Sequence, residues 1–292
     1  MDAQSLISHL QQSFLICSGA NGTLLHSRGL PADLPPDAWN LEQPDQVRAV
    51  AQEYAAAGAD LVQANTLLSN RISLAGWSRQ DQVQALNQAG VRLAREAARR
   101  GMLVAGNIGP CGHLLEPLGD FPAARARDAF QEQAQALAEA GADLIIVETF
   151  FALDEARLAV EAAAATGLAV VATMCFSPGG RTIMGVTPAQ AASLADQGAA
   201  AVGANCGEVG LEEMLDLVRT LAAESRVPVA VQPNAGKAEL VGGQTVFSAT
   251  PEQMAAWSRR YLEAGARIIG GCCGTTPRHT AAVARALRPQ EH

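Results

Sequence analysis

The amino-acid sequence predicts an α/β protein folded as a single (β/α)8 barrel, and three observations support this prediction. Eight short apolar runs alternate with alanine-rich amphipathic segments, and each run ends in polar or glycine residues. The runs are almost continuously hydrophobic, which is typical of parallel strands that helices cover on both faces. Eight such units in 292 residues match the usual length of this barrel. We therefore expect one barrel domain spanning residues 1–292.

The eight predicted strands follow one another along the whole chain. In order, they are Phe14 to Gly19, Asp60 to Thr66, Leu103 to Gly109, Leu144 to Phe150, Ala169 to Phe176, Ala201 to Gly207, Val227 to Gly236 and Arg267 to Gly274. Three of them are preceded by Ala-Gly-Ala, with glycine at positions 58, 141 and 265. We expect each of these glycines to end a helix in the left-handed conformation. An open doubly wound sheet is the alternative, and it is disfavoured because no Gly-x-Gly-x-x-Gly follows the first run.

Composition and charge exclude several classes of function. The chain is 49% hydrophobic and only 4% aromatic, so it can bury a large core of Ala, Leu and Val. A net charge of -8 argues against nucleic-acid binding, which needs a basic surface. No apolar stretch approaches the roughly 20 residues that span a bilayer, and residues 1–12 lack the pattern of an export signal. We expect a cytoplasmic protein with a small-molecule ligand and no nucleic-acid or membrane partner.

The segment Gly270-Gly271-Cys272-Cys273-Gly274-Thr275-Thr276-Pro277 predicts a metal site. Adjacent side chains on a regular strand point to opposite faces, so Cys272 and Cys273 can reach one ion only where the strand ends and glycine lets the chain bend. Cys206, which ends another apolar run and precedes a glycine, is the best candidate for a third ligand. Three thiolates suit Zn²⁺ and leave one coordination position open for a substrate.

Two other interpretations of these cysteines are weaker. A free cysteine is usually a small core residue, but a core cysteine gains nothing from glycine neighbours. A disulfide is typical of exported proteins, and nothing in the sequence marks this chain for export.

Further polar side chains lie at the ends of the predicted strands, where active sites of such barrels are found. They are Asn65, Asn107, Glu148, Asn205 and Asn234, with Cys17, Cys111 and Cys175 at or just beyond strand ends. Glu148 is the strongest candidate because it directly follows a buried apolar run, where a carboxylate needs a partner such as a substrate ammonium. A structural pair with a neighbouring donor explains Glu148 equally well. Pro277 suits the first helical position, so we expect His279 on the surface of the last helix.

Several of these motifs together resemble the zinc-dependent homocysteine S-methyltransferases across nearly the whole chain. The resemblance rests on the Gly-Gly-Cys-Cys-Gly-Thr-Thr-Pro segment, Asn205-Cys206-Gly207, Gln232-Pro233-Asn234-Ala235-Gly236, Gly109-Pro110, Val147-Glu148-Thr149 and Gly19-Ala20-Asn21-Gly22-Thr23. The two cysteine motifs in this order are highly specific, whereas the others are weak alone. The family resemblance implies a TIM barrel that transfers a methyl group to the thiol of homocysteine and forms methionine.

The same resemblance implies roles for individual residues. It assigns zinc binding to Cys206, Cys272 and Cys273, the substrate ammonium to Glu148, and the substrate carboxylate to the backbone around Gly19 and Ala20. Thiolate is the nucleophilic form of a thiol, and zinc ionises a thiol that it binds. No catalytic side chain is therefore expected beyond the groups that hold the zinc-activated substrate thiolate.

One residue departs from the family pattern. The first strand ends Cys17-Ser18-Gly19, where the family usually has Asp-Gly, and Ser18 cannot supply the same charge. If the family aspartate helps to hold the ammonium, Glu148 must do so alone here. Homocysteine would then bind less tightly, or a different small thiol would be preferred.

The methyl donor is left open between two branches of the family. Ala38-Trp39-Asn40-Leu41, Ala64-Asn65-Thr66 and the segment from Gly109 to Asp120 resemble the homocysteine-binding barrel of cobalamin-dependent methionine synthase. That branch implies methylcobalamin, free or on a separate corrinoid protein, as the donor. The alternative is a cationic donor, S-methylmethionine or betaine, although the chain has few of the aromatic rings that favour such cations. A zinc-binding barrel without enzymatic activity is disfavoured, because structural zinc sites use four protein ligands.

Overall fold

Eight parallel strands form a closed barrel in the computed structural model, which describes residues 1–242 and 244–288. They are β1 (Leu15–Ile16), β2 (Leu61–Gln63), β3 (Leu103–Ile108), β4 (Leu144–Phe150), β5 (Ala169–Met174), β6 (Ala201–Asn205), β7 (Val229–Gln232) and β10 (Ala266–Ile269). The order around the sheet is β1-β10-β7-β6-β5-β4-β3-β2. A parallel bridge between Cys17 and Leu61 joins the first and last strands of that order. Residues 243 and 289–292 of the predicted domain lie outside the described residues.

Helices surround the barrel and connect its strands. They are α1 (Ala3–Gln12), α2 (Gly22–Ser27), α3 (Trp39–Glu42), α4 (Pro44–Ala56), α5 (Arg71–Ala75), α6 (Val83–Ala97), α7 (Ala123–Glu139), α8 (Leu153–Ala164), α9 (Pro188–Ala192), α10 (Leu211–Glu224), α11 (Pro251–Glu263) and α12 (Pro277–Leu287). None of these helices combines the length and the apolar character needed to cross a bilayer.

The predicted barrel is confirmed: seven predicted apolar runs contain one strand each, and the eighth strand begins one residue before the run Arg267 to Gly274. The three helix-ending glycines are left-handed as expected, with φ of 96° at Gly58, 86° at Gly141 and 110° at Gly265. A side chain with a Cβ would be strained in that conformation. These turns return the chain to the barrel immediately after α4, α7 and α11.

Inward-facing and outward-facing residues alternate along the strands. Val62, Val104 and Val231 belong to the core between the sheet and the helices, whereas Leu61 and Ala105 belong to the core inside the barrel. Leu6 and Leu10 of α1 are fully buried in that inner core. Helix α1 therefore closes the end of the barrel at which the strands begin.

A two-stranded hairpin lies between β7 and α11 at the other end of the barrel. Its strands, β8 (Ala238–Val241) and β9 (Gln244–Phe247), are antiparallel. Phe247 packs so closely on Gly274 that a Cβ at position 274 would lie 2.4 Å from the phenylalanine ring. The hairpin is thereby attached to the segment that carries Cys272 and Cys273.

The expected position of His279 is wrong. This residue is only 9% exposed, because one ring nitrogen lies 3.0 Å from the carbonyl oxygen of Ala249 and the other contacts Thr276 at the start of α12. The loop before α11 covers the histidine. The sequence of α12 alone could not predict this burial, because the covering segment belongs to another part of the chain.

Candidate functional site

A layer of polar side chains crosses the barrel interior near the ends of the strands. Its members, called the polar layer below, are Gln63, Asn107, Glu148, Asn205 and Gln232, and each is at most 7% exposed. The inward-facing residues two positions earlier on the same strands are small or apolar: Leu61, Ala105, Ile146, Gly203 and Ala230. Since side chains alternate along a strand, this two-residue step carries each strand from the apolar core to the polar layer.

A cavity of about 150 Å³ lies against this layer and opens at the barrel mouth. Its walls include Gly19, Gln63, Asn107, Glu148, Cys272 and Cys273. An engineered protein cavity of roughly this volume holds benzene, so the space suits the end of a small molecule. Glu148 and two of the three predicted zinc ligands, Cys272 and Cys273, thus line one cavity.

The sulfur atoms of Cys206, Cys272 and Cys273 form a cluster in which all lie within 4.8 Å of one another. Cys206 follows β6 with a φ of 52°, a left-handed conformation that is uncommon for residues other than glycine. The loop after β10 is held by two backbone bonds, from the Cys272 amide to Pro233 and from the Ala235 amide to Cys273. These local conformations bring together three thiols from two strand ends.

The cluster has the dimensions of a zinc site. Sulfur atoms around a tetrahedral zinc lie about 3.8 Å apart, given Zn–S bonds of about 2.3 Å. The sulfurs of Cys206 and Cys273 are 3.9 Å apart. Cysteine is also a preferred zinc ligand, so both the geometry and the donor set fit.

Without a cation, the thiols of this cluster favour the ionisation of Cys206 and oppose that of Cys272 and Cys273. Donation from the Cys175, Cys272 and Cys273 thiols holds the pKa of Cys206 well below its ordinary value. The contact with Cys206 in turn raises the pKa of Cys272, and it raises the pKa of Cys273 to about 12. A divalent cation would remove this repulsion and allow all three ligands to be thiolates.

Glu148 lies at the end of β4 with three amide groups around its carboxylate. Gln63 Nε2 donates to Oε1 at 3.2 Å, Asn107 Nδ2 also donates to Oε1, and Asn205 Nδ2 lies 3.5 Å from Oε2. Burial raises the pKa of Glu148 to about 7, although donation from the amides opposes this shift. The next residue, Thr149, has a φ of 71°, which is rare for a β-branched residue. The carboxylate is therefore buried, bonded to side-chain amides and followed by a residue with a strained backbone.

Asn205 connects three strands at the centre of the site. Its Oδ1 accepts from the Thr149 amide at 3.0 Å and from Thr173 Oγ1 at 2.8 Å. Its Nδ2 donates to Thr149 Oγ1 at 2.9 Å and lies near Glu148. Asn205 thus fixes the strained turn after Glu148 and directly precedes Cys206, so it links the carboxylate to the sulfur cluster.

The segment after β1 lies beside the same cavity. Ser18 is buried, and its hydroxyl accepts a hydrogen bond from the backbone N–H of Gln63 at 3.0 Å. Ala20 donates its amide to Thr275 Oγ1 at 3.1 Å. A Cβ at Gly19 would lie 2.4 Å from that same Thr275 oxygen, so only glycine fits there. The Ser18 hydroxyl thus holds the backbone of Gln63, and Gly19 leaves its own backbone uncovered at the cavity wall.

Two predicted asparagines have structural partners. Asn65 Nδ2 donates to Asn40 Oδ1 at 2.9 Å and to the carbonyl of Pro36 at 2.8 Å, which holds the loop after β1. Asn234 Nδ2 donates to the carbonyl of Gly207 at 2.9 Å, beside the sulfur cluster, while its Oδ1 is buried without a partner. Asn65 also lines the cavity, whereas Asn234 does not.

Sequence reasoning missed Gln63, Cys175 as a neighbour of Cys206, and Asp37. Asp37 lines the cavity and is 1% exposed, with burial raising its pKa to about 6. Its Oδ1 accepts from the Leu68 amide at 3.0 Å and from Ser69 Oγ. Gln63 could have been found from its position two residues after the inward-facing Leu61. Asp37 lies in a loop, where no periodicity indicates which side chains are buried.

Comparisons with known proteins agree with this geometry. The profile of the family described as homocysteine S-methyltransferase matches residues 15–287. The chain is 32% identical over 312 residues to the methionine synthase of Mycobacterium tuberculosis (strain ATCC 25618 / H37Rv), covering 98% of this chain and 26% of that protein. It is 31% identical over 305 residues to the methionine synthase of Mycobacterium leprae (strain TN), covering 97% of this chain and 25% of that protein. The chain thus spans about a quarter of the length of these relatives.

A solved structure is similar over almost its whole length. The metallated form of the homocysteine methyltransferase MmuM from Escherichia coli superposes with a TM-score of 0.79 and 25% identity, covering 96% of this chain and 98% of that one. Its apo form gives a TM-score of 0.72 and 26% identity, covering 94% of this chain and 96% of that one. The profile match and the shared barrel establish that the chain belongs to the homocysteine S-methyltransferase family.

Proposed function

We propose that this chain is a zinc-dependent enzyme that transfers a methyl group to the thiol of homocysteine and forms methionine. One observation carries the proposal: two members of a cluster of three cysteine sulfurs within 4.8 Å, Cys272 and Cys273, line the same small cavity as the buried Glu148. A thiol that also carries an ammonium group can reach both. Cys206, Cys272 and Cys273 would be the zinc ligands.

Zinc, when bound there, would hold the substrate thiol as its nucleophilic thiolate. Glu148 would bind the substrate ammonium, and the amides of Gln63, Asn107 and Asn205 would keep its carboxylate in place. Among the cavity-lining residues that the structure describes, none is a histidine, lysine or arginine. Since zinc would ionise the thiol before the transfer, the proposed reaction needs no general base during it.

The substrate carboxylate is assigned to the backbone beside Gly19. The Ala20 amide already donates to Thr275 Oγ1, so it would have to exchange that partner for the substrate. Ser18 carries no charge, and its hydroxyl is engaged with Gln63. A different small thiol stays the alternative acceptor for this reason.

For the methyl donor we propose a corrinoid, either methylcobalamin itself or a separate corrinoid protein. Two features support it: the similarity to two methionine synthases, and a cavity wall whose described residues include no aromatic ring. A small cationic donor would profit from such rings. Asp37 favours the alternative, because its carboxylate in the same cavity would attract the cation of S-methylmethionine or betaine.

Several related predictions stay proposals. We propose residues 1–292 as one homocysteine-binding barrel domain and the cytoplasm as its location. A zinc-binding barrel without activity is the non-enzymatic alternative, and turnover would exclude it.

The test is anaerobic methionine formation by zinc-loaded protein with homocysteine and, in separate reactions, methylcobalamin, S-methylmethionine or betaine. We expect turnover with methylcobalamin. Turnover with only a cationic donor would overturn the donor assignment and keep the reaction class. The protein could also bind about one zinc per chain and form no methionine with any donor. Adding a methylated corrinoid protein then separates two cases: methionine formation would indicate a required corrinoid partner, and its absence would contradict the proposed acceptor.

A further inference from the structure

The side chain of Asn107 has an unused hydrogen-bond acceptor at the wall of the cavity. It projects inward from β3, is 3% exposed and lines the cavity beside Glu148. Its Nδ2 donates to Glu148 Oε1, whereas its Oδ1 is buried and has no hydrogen-bond partner. Buried polar atoms in native proteins are nearly always paired, so an unpaired amide oxygen in a ligand cavity calls for an explanation.

The orientation of this amide is well determined by its surroundings. The backbone of Asn107 is held on both sides, because its amide donates to Thr66 Oγ1 at 2.9 Å and its carbonyl accepts from Gln133 Nε2 at 3.1 Å. The side-chain nitrogen must face the Glu148 carboxylate, since two acceptors in contact would repel each other. The amide oxygen is therefore left without a donor.

We infer that Asn107 is a specificity-determining residue whose Oδ1 accepts one N–H of the substrate ammonium while Glu148 accepts another. A primary ammonium has three donors and no acceptor, so it can satisfy two neighbouring oxygens at once. This inference rests on the proposed function. It makes the ammonium site a pair of unlike acceptors, one charged and one neutral.

The neutrality of Asn107 has a physical reason. Three cysteinates around Zn²⁺ already give a net negative charge, and a bound substrate thiolate adds another. Glu148 alone balances the ammonium, and a second carboxylate would place excess negative charge in a buried site. An amide oxygen adds a hydrogen bond to the ammonium without adding charge, and the amide nitrogen stabilises the ionised Glu148.

Gln63 allows this role to be separated from simple support of Glu148. Its Nε2 donates to the same Glu148 Oε1, at 3.2 Å. If Asn107 acted only by holding Glu148, removal of either amide would weaken ammonium binding to a similar degree. If Asn107 also contacts the ammonium, removal of its side-chain amide must weaken ammonium binding more than removal of the Gln63 amide does.

The experiment compares the calorimetric affinity of zinc-loaded protein for L-homocysteine and for 4-mercaptobutanoate, which lacks only the amino group. We expect Asn107→Ala to weaken homocysteine binding roughly ten- to a hundredfold, the range for a hydrogen bond to a charged group. Binding of 4-mercaptobutanoate should change less than about threefold, since no ammonium is involved, and Gln63→Ala should lower the preference for homocysteine by a smaller factor. Asn107→Leu, which keeps a similar volume and lacks the acceptor, replaces the alanine variant if that protein does not fold.

Two results would overturn the inference. The preference for homocysteine over 4-mercaptobutanoate could fall equally in the Asn107 and Gln63 variants, or the Asn107 variant could lose affinity for both thiols equally. Failure of the proposed function has a different signature. In that case the wild-type protein itself would bind homocysteine no better than 4-mercaptobutanoate, or would bind neither thiol.

Discussion

The two ends of this barrel use the same strands for opposite purposes. At the end where the strands begin, inward-facing leucines pack against Leu6 and Leu10 of α1 in a fully buried apolar core. At the other end, amide side chains, Glu148 and two of the three clustered cysteines line an open cavity. In β2, a single residue separates Leu61 in the apolar core from Gln63 in the polar layer.

The residues that stabilise the fold and the residues that bind the ligand therefore lie at different ends of the barrel. Apolar burial at the closed end stabilises the fold without constraining the ligand. The mouth carries features that oppose stability, namely the left-handed Thr149 and Cys206, the buried Glu148 carboxylate and unpaired amide oxygens. Substitutions at the two ends should therefore have separable effects on unfolding and on ligand binding.

The largest effect is expected at the sulfur cluster. Cys272→Ala should lose zinc and abolish methyl transfer, because two cysteines cannot hold the ion in a tetrahedral site that must also accept substrate. The variant should stay folded, since the loop is held by backbone bonds that alanine preserves. Zinc content by mass spectrometry and circular dichroism measure the two properties. Cys111→Ala, outside the cluster, is the control and should keep its zinc; full zinc content in the Cys272 variant would refute the ligand assignment.

The reverse result is expected at the closed end. Leu10→Ala should lower the free energy of unfolding by roughly 2 to 5 kcal/mol, the range for deleting a buried leucine side chain. Zinc content and homocysteine affinity of the folded variant should be unchanged. Urea unfolding gives the stability, and Leu118→Ala, at a residue that is 71% exposed, should change it by less than about 0.5 kcal/mol. A loss of homocysteine affinity in the Leu10 variant would show that the ends are not independent.

A smaller effect of opposite sign is expected for Glu148→Gln in the metal-free, reduced protein. Burial raises the pKa of Glu148 from 4.5 to about 7, so the folded protein retains a proton that the unfolded chain has lost between these pH values. Glu148 therefore lowers stability increasingly as pH rises from about 4.5 to about 7, by on the order of 3 kcal/mol above that range. The glutamine variant should be more stable than wild type at pH 8 and equally stable at pH 4.

The same substitution should abolish the preference for homocysteine over 4-mercaptobutanoate, because the ammonium loses its counter-charge. Urea unfolding at several pH values measures the stability, and exposed Glu208→Gln is the matched control. Equal stability of the Glu148 variant and wild type at pH 8 would contradict the account of this buried carboxylate.

Sequence reasoning located the barrel and the cysteine cluster because both depend on local patterns. Strand hydrophobicity, helix-ending glycines and the two cysteine motifs are readable over a few residues. Contacts between distant segments are not readable in this way. The bond between His279 and Ala249 and the use of Asn65 to hold the loop after β1 both require the closed barrel.

The polar layer is an intermediate case. Asn107, Glu148 and Asn205 were recognisable at strand ends, but their mutual hydrogen bonds follow from the register of neighbouring strands. Gln63 was overlooked because its strand ends sooner than the apolar run suggests. The unpaired oxygen of Asn107 becomes evident only when every neighbour is known.

The central claim is that the three-cysteine cluster holds a metal that ionises a substrate thiol. Its most direct test is proton release when homocysteine is added to zinc-loaded protein at pH 7 in weak buffer, followed with a pH indicator. The account predicts about one more proton per bound homocysteine from the zinc-loaded than from the metal-free protein, because a free thiol is mostly protonated at that pH and any proton that Glu148 releases contributes in both. Homocysteine binding to the zinc-loaded protein without proton release, or equal release from the metal-free protein, would contradict it.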